Sequence, residues 1–273
     1  MAAERASVSS TLNYLAKQGP RPAYDLYVPT DKPEQTLPER DKRAVTIEDS
    51  RANAEALSLD IQGFAFLTQA SAFSAFDDAA AIKQHYYPEV EALVKDATGA
   101  ADVLVFDHNV RNETRAKAGD PAASRPVRFV HNDYTERSGP QRVKDLLPPD
   151  KAAERLRGRF AFINVWRPIA GPVLDMPLAV LDARSIEPGD FVATDLNYQN
   201  RSGEVYSVHY NPVHRWHYIS RMQPNEVLLL KCFDSITDGA AQYTAHSAFA
   251  DPTAPDGAPT RESIEARTIA FYE

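Results

Sequence analysis

The sequence predicts an all-β core, a barrel or a sandwich, with flanking helices mostly ahead of it. About eight strand-like runs follow one another from residue 103 onward, separated by turn residues such as Pro188–Asp190. Helical patterns are concentrated before these runs, which favours a sheet core backed by helices. Twenty prolines against eleven glycines indicate many rigid turns, which suit a β-rich fold better than a helical bundle.

The elements can be assigned in chain order. Residues 1–45 are polar and proline-bearing, which predicts an extended N-terminal arm. Residues 46–100 show helical patterns, beginning after a possible cap at Asp49 and interrupted by a short strand at 63–67, and predict a helical support. Residues 101–273 form the predicted β core, with short helices near 141–147 and 150–157. The strand-like runs are 103–106, 127–131, 160–166, 178–181, 204–210, 216–219, 227–233, 243–249 and 264–272. Since no internal repeat or linker is visible, residues 1–273 are expected to form a single domain.

Composition narrows the class of protein. Of the 273 residues, 43% are hydrophobic and 25% are charged, which is ordinary for a globular chain. The net charge of −8 disfavours a nucleic-acid partner, because phosphate backbones repel an acidic protein. Cys232 is the single cysteine, so no disulfide can form within the chain, which fits a reducing compartment. No apolar leader or membrane-length run is visible, so we expect a cytoplasmic protein without a membrane partner.

A short motif at the end of one strand-like run offers two metal ligands. His131 and Asp133 form His-x-Asp, and one intervening residue lets both side chains point to the same side as the strand ends. Two histidines and one carboxylate on one face of iron(II) leave positions open for co-substrate and dioxygen. Because His-x-Asp is common by chance, the motif needs a third ligand from elsewhere in the chain.

The C-terminal segment supplies that ligand and a candidate anion site. His246 lies near the end of a β run, and Arg261 and Arg267 belong to the last strand-like segment. A planar guanidinium there can bind the distal carboxylate of 2-oxoglutarate through two parallel hydrogen bonds. Strand alternation can put both arginines on one face, so the sequence leaves open which of them binds.

These motifs resemble those of 2-oxoglutarate-dependent iron oxygenases. The order His-x-Asp, a later histidine, and Arg-x-Ser on the last strand is the order used in that family. Narrower matches occur in the segments Phe162–Pro168, Pro177–Val180, His214–Tyr218, Leu230–Ser235 and Arg261–Arg267. They resemble a mostly fungal branch that contains gibberellin desaturase, AsaB-type hydroxylase/desaturases and enzymes that close small nitrogen rings on amino acids. The resemblance covers about residues 100–273.

The resemblance implies a double-stranded β-helix, that is, a jelly-roll or cupin-like barrel. It implies that His131, Asp133 and His246 are catalytic ligands of Fe(II), with 2-oxoglutarate as co-substrate and dioxygen as oxidant. It makes Ser263 and an inward-facing Asn164 further co-substrate residues beside Arg261 or Arg267. The implied activity is hydrogen abstraction from a small molecule of secondary metabolism. Hydroxylation, desaturation or oxidative ring closure, such as aziridine formation on an amino acid, would then follow.

Two other functions use the same ligands. A metal-dependent hydrolase could employ His131, Asp133 and His246, although no general base is evident and a hydrolase needs no arginine on the last strand. A non-catalytic cupin-like protein could bind a small molecule, although intact metal ligands argue against it. We find no nucleophile elbow, P-loop or dinucleotide fingerprint, which disfavours the enzymes that depend on them.

The substrate is expected to carry a carboxylate. Candidate contacts are Arg128, Arg167, Trp166 and His214. The basic, flexible segment 111–126, which includes Arg111, is expected either to close over the ligand or to form a solvated loop. The alternative is that these arginines pair with surface acids. The histidines outside the predicted triad are expected to be hydrogen-bonded core or surface residues; they are His85, His108, His209, His214 and His217. Cys232 is expected to be a small core residue, and the oligomeric state is left open.

Overall fold

The computed structural model describes residues 6–17, 19–26 and 37–273. The described strands are β1 (Ser7–Leu15), β2 (Ala23–Asp25), β3 (Arg40–Asp49), β4 (Phe64–Thr68), β5 (Asp102–Arg111), β6 (His131–Asn132), β7 (Phe160–Pro168), β8 (Leu178–Leu181), β9 (Phe191–Asn197), β10 (Ser202–Val208), β11 (Trp216–Tyr218), β12 (Glu226–Asp234), β13 (His246–Ala248) and β14 (Ser263–Phe271). The helices are α1 (Ala79–Ala81), a π-helical turn (Ile82–Tyr86), α2 (Tyr87–Thr98), α3 (Glu113–Lys117), α4 (Ser138–Leu146) and α5 (Pro149–Arg155). Short 3-10 turns cover Arg51–Ala56, Ala183–Ser185 and Pro188–Asp190.

The described strands form two sheets. The larger has nine strands in the order β1-β3-β11-β8-β13-β6-β10-β9-β2, and the smaller has five in the order β4-β12-β7-β14-β5. Within the larger sheet, β3 pairs with β11 and β2 with β9 in parallel, whereas the other pairs are antiparallel. The two sheets face each other across an apolar layer, which gives the jelly-roll arrangement that the resemblance implied.

Side-chain alternation explains how the smaller sheet is buried on both faces. Phe162 and Leu228 point inward and pack with Val180 of the larger sheet. Ile163 and Leu229, each one position further along, belong instead to the outer cluster that packs on α2. Because successive strand residues face opposite sides, β7 and β12 need apolar residues at almost every position. Their sequences are hydrophobic at most positions and so largely meet that requirement.

The N-terminal region differs from the predicted extended arm. β1 pairs antiparallel with β3 from Ser7↔Glu48 to Leu15↔Arg40, and β3 joins the larger sheet through β11. Leu12 and Ile47 are fully buried in a cluster with β8 and β11, which explains why the segment forms strands. The parts of the predicted arm at 1–5, 18 and 27–36 lie outside the described residues.

Two other predicted elements also differ from the structure. The expected helical support at 46–100 begins with the end of β3 and a 3-10 turn in place of a helix, whereas the short strand predicted at 63–67 corresponds to β4, which precedes α1 and α2. The strand expected at 127–131 is reduced to β6, which starts at His131, with an isolated bridge between Asn13 and Phe129 before it. The basic segment 111–126 is not wholly a loop, because Arg111 ends β5 and α3 follows with Asn112 as its cap.

Candidate metal centre and co-substrate site

Three predicted ligands meet between two neighbouring strands of the larger sheet. His131 of β6 is the register partner of His246 of β13, and their imidazole rings lie 4.5 Å apart. Asp133 follows β6 directly. One potential ligand atom from each of the three residues lies within 4.8 Å of the other two. The strand pairing therefore brings together residues that are more than a hundred positions apart in the chain.

Hydrogen bonds orient the His-x-Asp pair. His131 Nδ1 donates to the Phe129 carbonyl at 2.7 Å, which fixes the tautomer and leaves the Nε2 lone pair free. That Nε2 lies 3.6 Å from Asp133 Oδ1. The residue between them, Asn132, donates to the Cys232 carbonyl at 2.9 Å and so ties the ligand-bearing turn to β12 of the opposite sheet.

Asp133 is held from the smaller sheet by two donors. Asn164 Nδ2 donates to its Oδ2 at 2.7 Å and Arg267 Nε donates to the same oxygen at 3.1 Å. Asn164 and Arg267 are register partners on β7 and β14, so both side chains reach the same oxygen. Oδ1 is thereby left on the side of His131, available to a metal. The structure thus places Asn164 against a metal ligand.

The protonation states suit a metal. Burial lowers the pKa of His246 to about 3, so its imidazole is neutral at physiological pH. Within the described chain its buried Nδ1 has no hydrogen-bond partner. Burial alone would raise the pKa of Asp133, but the positive charge of Arg267 holds it well below its usual range. Two imidazoles and one carboxylate on a common face form a donor set that fits iron(II).

Arg267 is fully engaged by acidic side chains. Besides Asp133, its guanidinium contacts Asp107 at 3.0 Å and Glu265 at 3.2 Å. Burial would lower the pKa of Arg267, but the charges of Asp133 and Glu265 outweigh it and raise the pKa above the usual value. These contacts leave Arg267 poorly placed to bind an incoming carboxylate.

Arg261 has the opposite surroundings. It is 4% exposed, and it donates from Nη1 to the Met176 carbonyl while its buried Nε lacks a partner in the described chain. Its guanidinium lies 5.4 Å from the centre of the Trp166 ring. Burial and the nearby charge of Arg111 lower the pKa of Arg261 to about 9. The hydroxyl of Ser263, two residues further on, is also buried without a partner among the described residues. A buried cation beside an unsatisfied hydroxyl fits a carboxylate ligand.

Of the predicted substrate contacts, only Trp166 faces this site. Arg167 faces the other side of β7, where it donates to the carbonyls of Gln69 at 2.6 Å and Pro224 at 2.9 Å. Arg128 is exposed and pairs with Glu113 at 3.3 Å. His214 is buried between Asp190 and the Tyr14 hydroxyl, at 3.0 and 3.2 Å. Because the polar atoms of Arg167 and His214 are hydrogen-bonded to other parts of the fold, the structure does not bring these two side chains to the site.

A groove of about 400 Å³ reaches the metal centre from the side of α4. Asp133, Tyr134 and Arg267 line its inner end, and the outer walls come from α4 and the β9–β10 hairpin. In β5 the pairing register shifts opposite the Arg267/Thr268 step, so that Phe106 and Asp107 both line this groove although they are adjacent in sequence. The groove is a direct path for a small molecule to the ligands.

Sequence reasoning missed several residues of this region. Arg111 was assigned to a solvated loop, whereas it ends β5 and is partly buried near the site. Asp107 and Glu265, which engage Arg267, were not singled out. The length of β5 was underestimated. The predicted strand stopped at Phe106, although Val110 is again apolar and the strand continues to Arg111.

Comparison with known proteins extends these observations. Residues 12–271 match a family model described as "Oxidoreductase/YMDC permease-like domain". Hydroxylase/desaturase efuI of Hormonema carpetanum is 37% identical over 251 residues, covering 84% of this chain and 83% of efuI. The Fe(II)/2-oxoglutarate-dependent dioxygenase nvfI of Aspergillus novofumigatus is 34% identical over 254 residues, covering 90% of both chains.

Solved structures show the same relationship. One of the iron and alpha-ketoglutarate-dependent endoperoxidase NvfI has a TM-score of 0.87 and 29% identity, covering 97% of this chain and 98% of that one. No helix among the described residues is long and apolar enough to cross a membrane. The comparisons confirm the predicted family, its jelly-roll fold and its dependence on Fe(II), 2-oxoglutarate and dioxygen, while membership of the AsaB-type branch stays a prediction. This chain belongs to the fungal hydroxylase/desaturase family of Fe(II)/2-oxoglutarate-dependent dioxygenases.

Proposed function

We propose that this enzyme binds Fe(II) through His131, Asp133 and His246, and 2-oxoglutarate through Arg261 and Ser263, to oxidise a small molecule. The observation that carries the proposal is the buried guanidinium of Arg261, whose Nε lacks a partner among the described residues, beside the equally unsatisfied hydroxyl of Ser263. Both need an anionic acceptor to offset their burial. When bound, the iron and the 2-oxo acid supply the reductive activation of dioxygen that removes hydrogen from an unactivated carbon.

The protein side chains position and protect that chemistry. Asn164 and Arg267 hold Asp133 by one oxygen and keep it ionised, so the other oxygen would be free to ligate Fe(II). The carbonyl of Phe129 fixes the His131 ring. Burial of His246 keeps its imidazole unprotonated and excludes bulk water from that side. Together these contacts preorganise the ligands before any metal arrives.

The groove from α4 is proposed as the substrate entrance, and Arg142 as the contact for a substrate carboxylate. Its guanidinium lies 5.1 Å from the centre of the Phe106 ring, and no described residue forms an ion pair with it. The neighbouring acid Glu204 is already engaged by Arg21 and Arg137 at 2.6 and 2.7 Å. The substrate is therefore proposed to be a carboxylate-bearing small molecule with an apolar body. Hydroxylation, desaturation or ring closure, including aziridine formation on an amino acid, all start from the same hydrogen removal.

The metal-dependent hydrolase and the cupin-like binder leave Arg261 and Ser263 without a role. The test is anaerobic titration of the metal-free enzyme with Fe(II) and then 2-oxoglutarate, followed by exposure to air. A weak charge-transfer absorption and subsequent formation of succinate should appear with the wild-type chain. His246→Ala should show neither. Succinate formation at the wild-type rate by His246→Ala would refute the ligand assignment, and absence of 2-oxoglutarate binding by the iron-loaded wild type would refute the co-substrate.

A further inference from the structure

A second guanidinium stands beside the proposed co-substrate site. Arg111 is the last residue of β5, and its register partner on β14 is Ser263. Directly opposite residues of an antiparallel pair point to the same face, with Cβ atoms about 4.5–5.5 Å apart. The Arg111 side chain therefore starts next to the unsatisfied Ser263 hydroxyl, on the face that also carries Glu265 and Arg267.

The hydrogen bonds of Arg111 leave much of its guanidinium unused. Nη1 donates to Ser124 Oγ at 3.0 Å and to the Arg125 carbonyl at 3.2 Å, and both acceptors are uncharged. No ion pair to Arg111 occurs in the described part of the chain. Other arginines nearby have acidic partners: Arg115 contacts Asp120 at 2.8 Å, and Arg128 contacts Glu113 at 3.3 Å.

The charges around Arg111 and Arg261 indicate an anion between them. Burial lowers the pKa of Arg111, and burial together with the charge of Arg111 lowers the pKa of Arg261. Glu265 is the acidic side chain whose charge acts most strongly on both, yet its carboxylate already contacts Arg267 at 3.2 Å. Two neighbouring, partly desolvated cations are costly unless a further negative charge lies between them.

We propose that Arg111 is a second arginine of the co-substrate site, which binds the distal carboxylate of 2-oxoglutarate together with Arg261 and Ser263. This inference rests on the proposed function and extends it to a residue outside the Arg-x-Ser motif. Three donor groups, from the end of β5, the start of β14 and the residue two positions before β14, then surround one carboxylate, which selects a 2-oxo acid with a second acidic group over one without it.

The competing explanation is structural. Through Ser124 and Arg125, Arg111 also attaches the segment 112–126 to β5, next to the backbone bond from Asn112 N to Ser124 O at 3.0 Å. Loss of that attachment alone would disturb the site for any 2-oxo acid. Pyruvate separates the two explanations, because it keeps the metal-binding 2-oxo acid end of 2-oxoglutarate and lacks the distal carboxylate.

The experiment measures the affinities of 2-oxoglutarate and pyruvate for the Mn(II)-loaded protein by calorimetry, without turnover. Arg111→Gln should weaken 2-oxoglutarate binding about 10- to 150-fold, the effect of losing a hydrogen bond to a charged group. Pyruvate binding should change less than about twofold, so the preference for 2-oxoglutarate over pyruvate should fall. Arg115→Gln, which removes a nearby surface arginine, should change neither. Mn(II) affinity and melting temperature verify that each variant is folded.

The outcomes are distinguishable. Equal weakening of 2-oxoglutarate and pyruvate, or wild-type affinity for both, would overturn the role of Arg111. If Arg261→Gln weakens 2-oxoglutarate binding while Arg111→Gln does not, the proposed function stands and this inference is wrong. If the wild-type protein binds Mn(II) but not 2-oxoglutarate, the proposed function fails and the inference fails with it.

Discussion

Arg261 and Arg267 are the two arginines of the C-terminal segment, and their substitution should affect different ligands. Arg261→Gln removes a buried charge that has no acidic partner among the described residues and whose Nε is unsatisfied, so the substitution should mainly weaken binding of the incoming carboxylate. Losing such a contact costs about 2–5 kcal/mol, which weakens 2-oxoglutarate binding roughly 30- to 5,000-fold. Metal affinity should change little, since no described ligand residue is hydrogen-bonded to Arg261.

Arg267→Gln should instead weaken metal binding. It removes the bond from Nε to Asp133 Oδ2 and the charge that keeps the pKa of Asp133 low. Supporting contacts of this kind are typically worth about 10- to 100-fold in metal affinity. Because the pKa of Asp133 rises in the variant, protons compete more strongly with the metal, and the loss should grow as the pH is lowered.

Both affinities can be measured on one sample, by Mn(II) titration of the metal-free protein and then 2-oxoglutarate titration of the metal-saturated protein. Arg128→Gln, which removes an exposed arginine, is the matched control and should change neither value. The reasoning fails if, at saturating metal, Arg267→Gln lowers the affinity for 2-oxoglutarate while Arg261→Gln leaves that affinity unchanged. That result would mean that the acidic partners of Arg267 release it when the co-substrate binds.

Three further predictions concern stability, pH and substrate. Arg167→Met should lower the free energy of unfolding by about 2–4 kcal/mol in urea denaturation without altering 2-oxoglutarate affinity, since the buried carbonyls of Gln69 and Pro224 lose their donor. The metal-free protein should lose stability as pH falls below about 6.5, because unfolded His246 takes up a proton that the folded residue resists until about pH 3. His246 adds at most about 1.4 kcal/mol per pH unit to that slope, so the slope should be shallower in urea titrations of His246→Gln over the same range, while His108 and His214, whose pKa values burial also lowers, keep their part of it. In a thermal-shift screen of small carboxylic acids against the 2-oxoglutarate-saturated protein, ligands that stabilise the wild type should lose their shift in Arg142→Gln; an unchanged shift would contradict the proposed carboxylate contact.

The fold was predictable where hydrophobic patterns were strong. β7 and β12 have apolar residues at most positions. They could be recognised as strands because a strand that is buried on both faces is hydrophobic along most of its length. β1 escaped recognition because serine, threonine and asparagine alternate with its buried residues, so the segment looked polar as a whole. β9 was missed for a related reason, since most of its residues are half-buried and a turn signal precedes it. Strands that gain their burial from long-range pairing leave a weak local signal.

The site shows the same division. His131, Asp133 and His246 could be predicted as ligands from their residue types and order, and the structure brings the three residues together. The choice between Arg261 and Arg267 could not be made, since both fall on one face and only their partners distinguish them. The acids that engage Arg267 are Asp107 of β5, Asp133 after β6 and Glu265 of β14 itself. The pairing of β5 with β14, which brings Asp107 to Arg267, cannot be read from either segment alone.

The register of β14 joins the metal centre to the co-substrate site. Ser263, Glu265 and Arg267 occupy alternate positions, so all three face inward, while Ile264 and Ala266 between them are fully buried in the outer cluster against α2. A slip by one residue would place two apolar side chains inside and turn the three polar ones toward α2. The outer apolar packing therefore fixes which residues of β14 face the candidate metal ligands. A loosened contact between β14 and α2 would disturb the candidate metal centre and the co-substrate site at once.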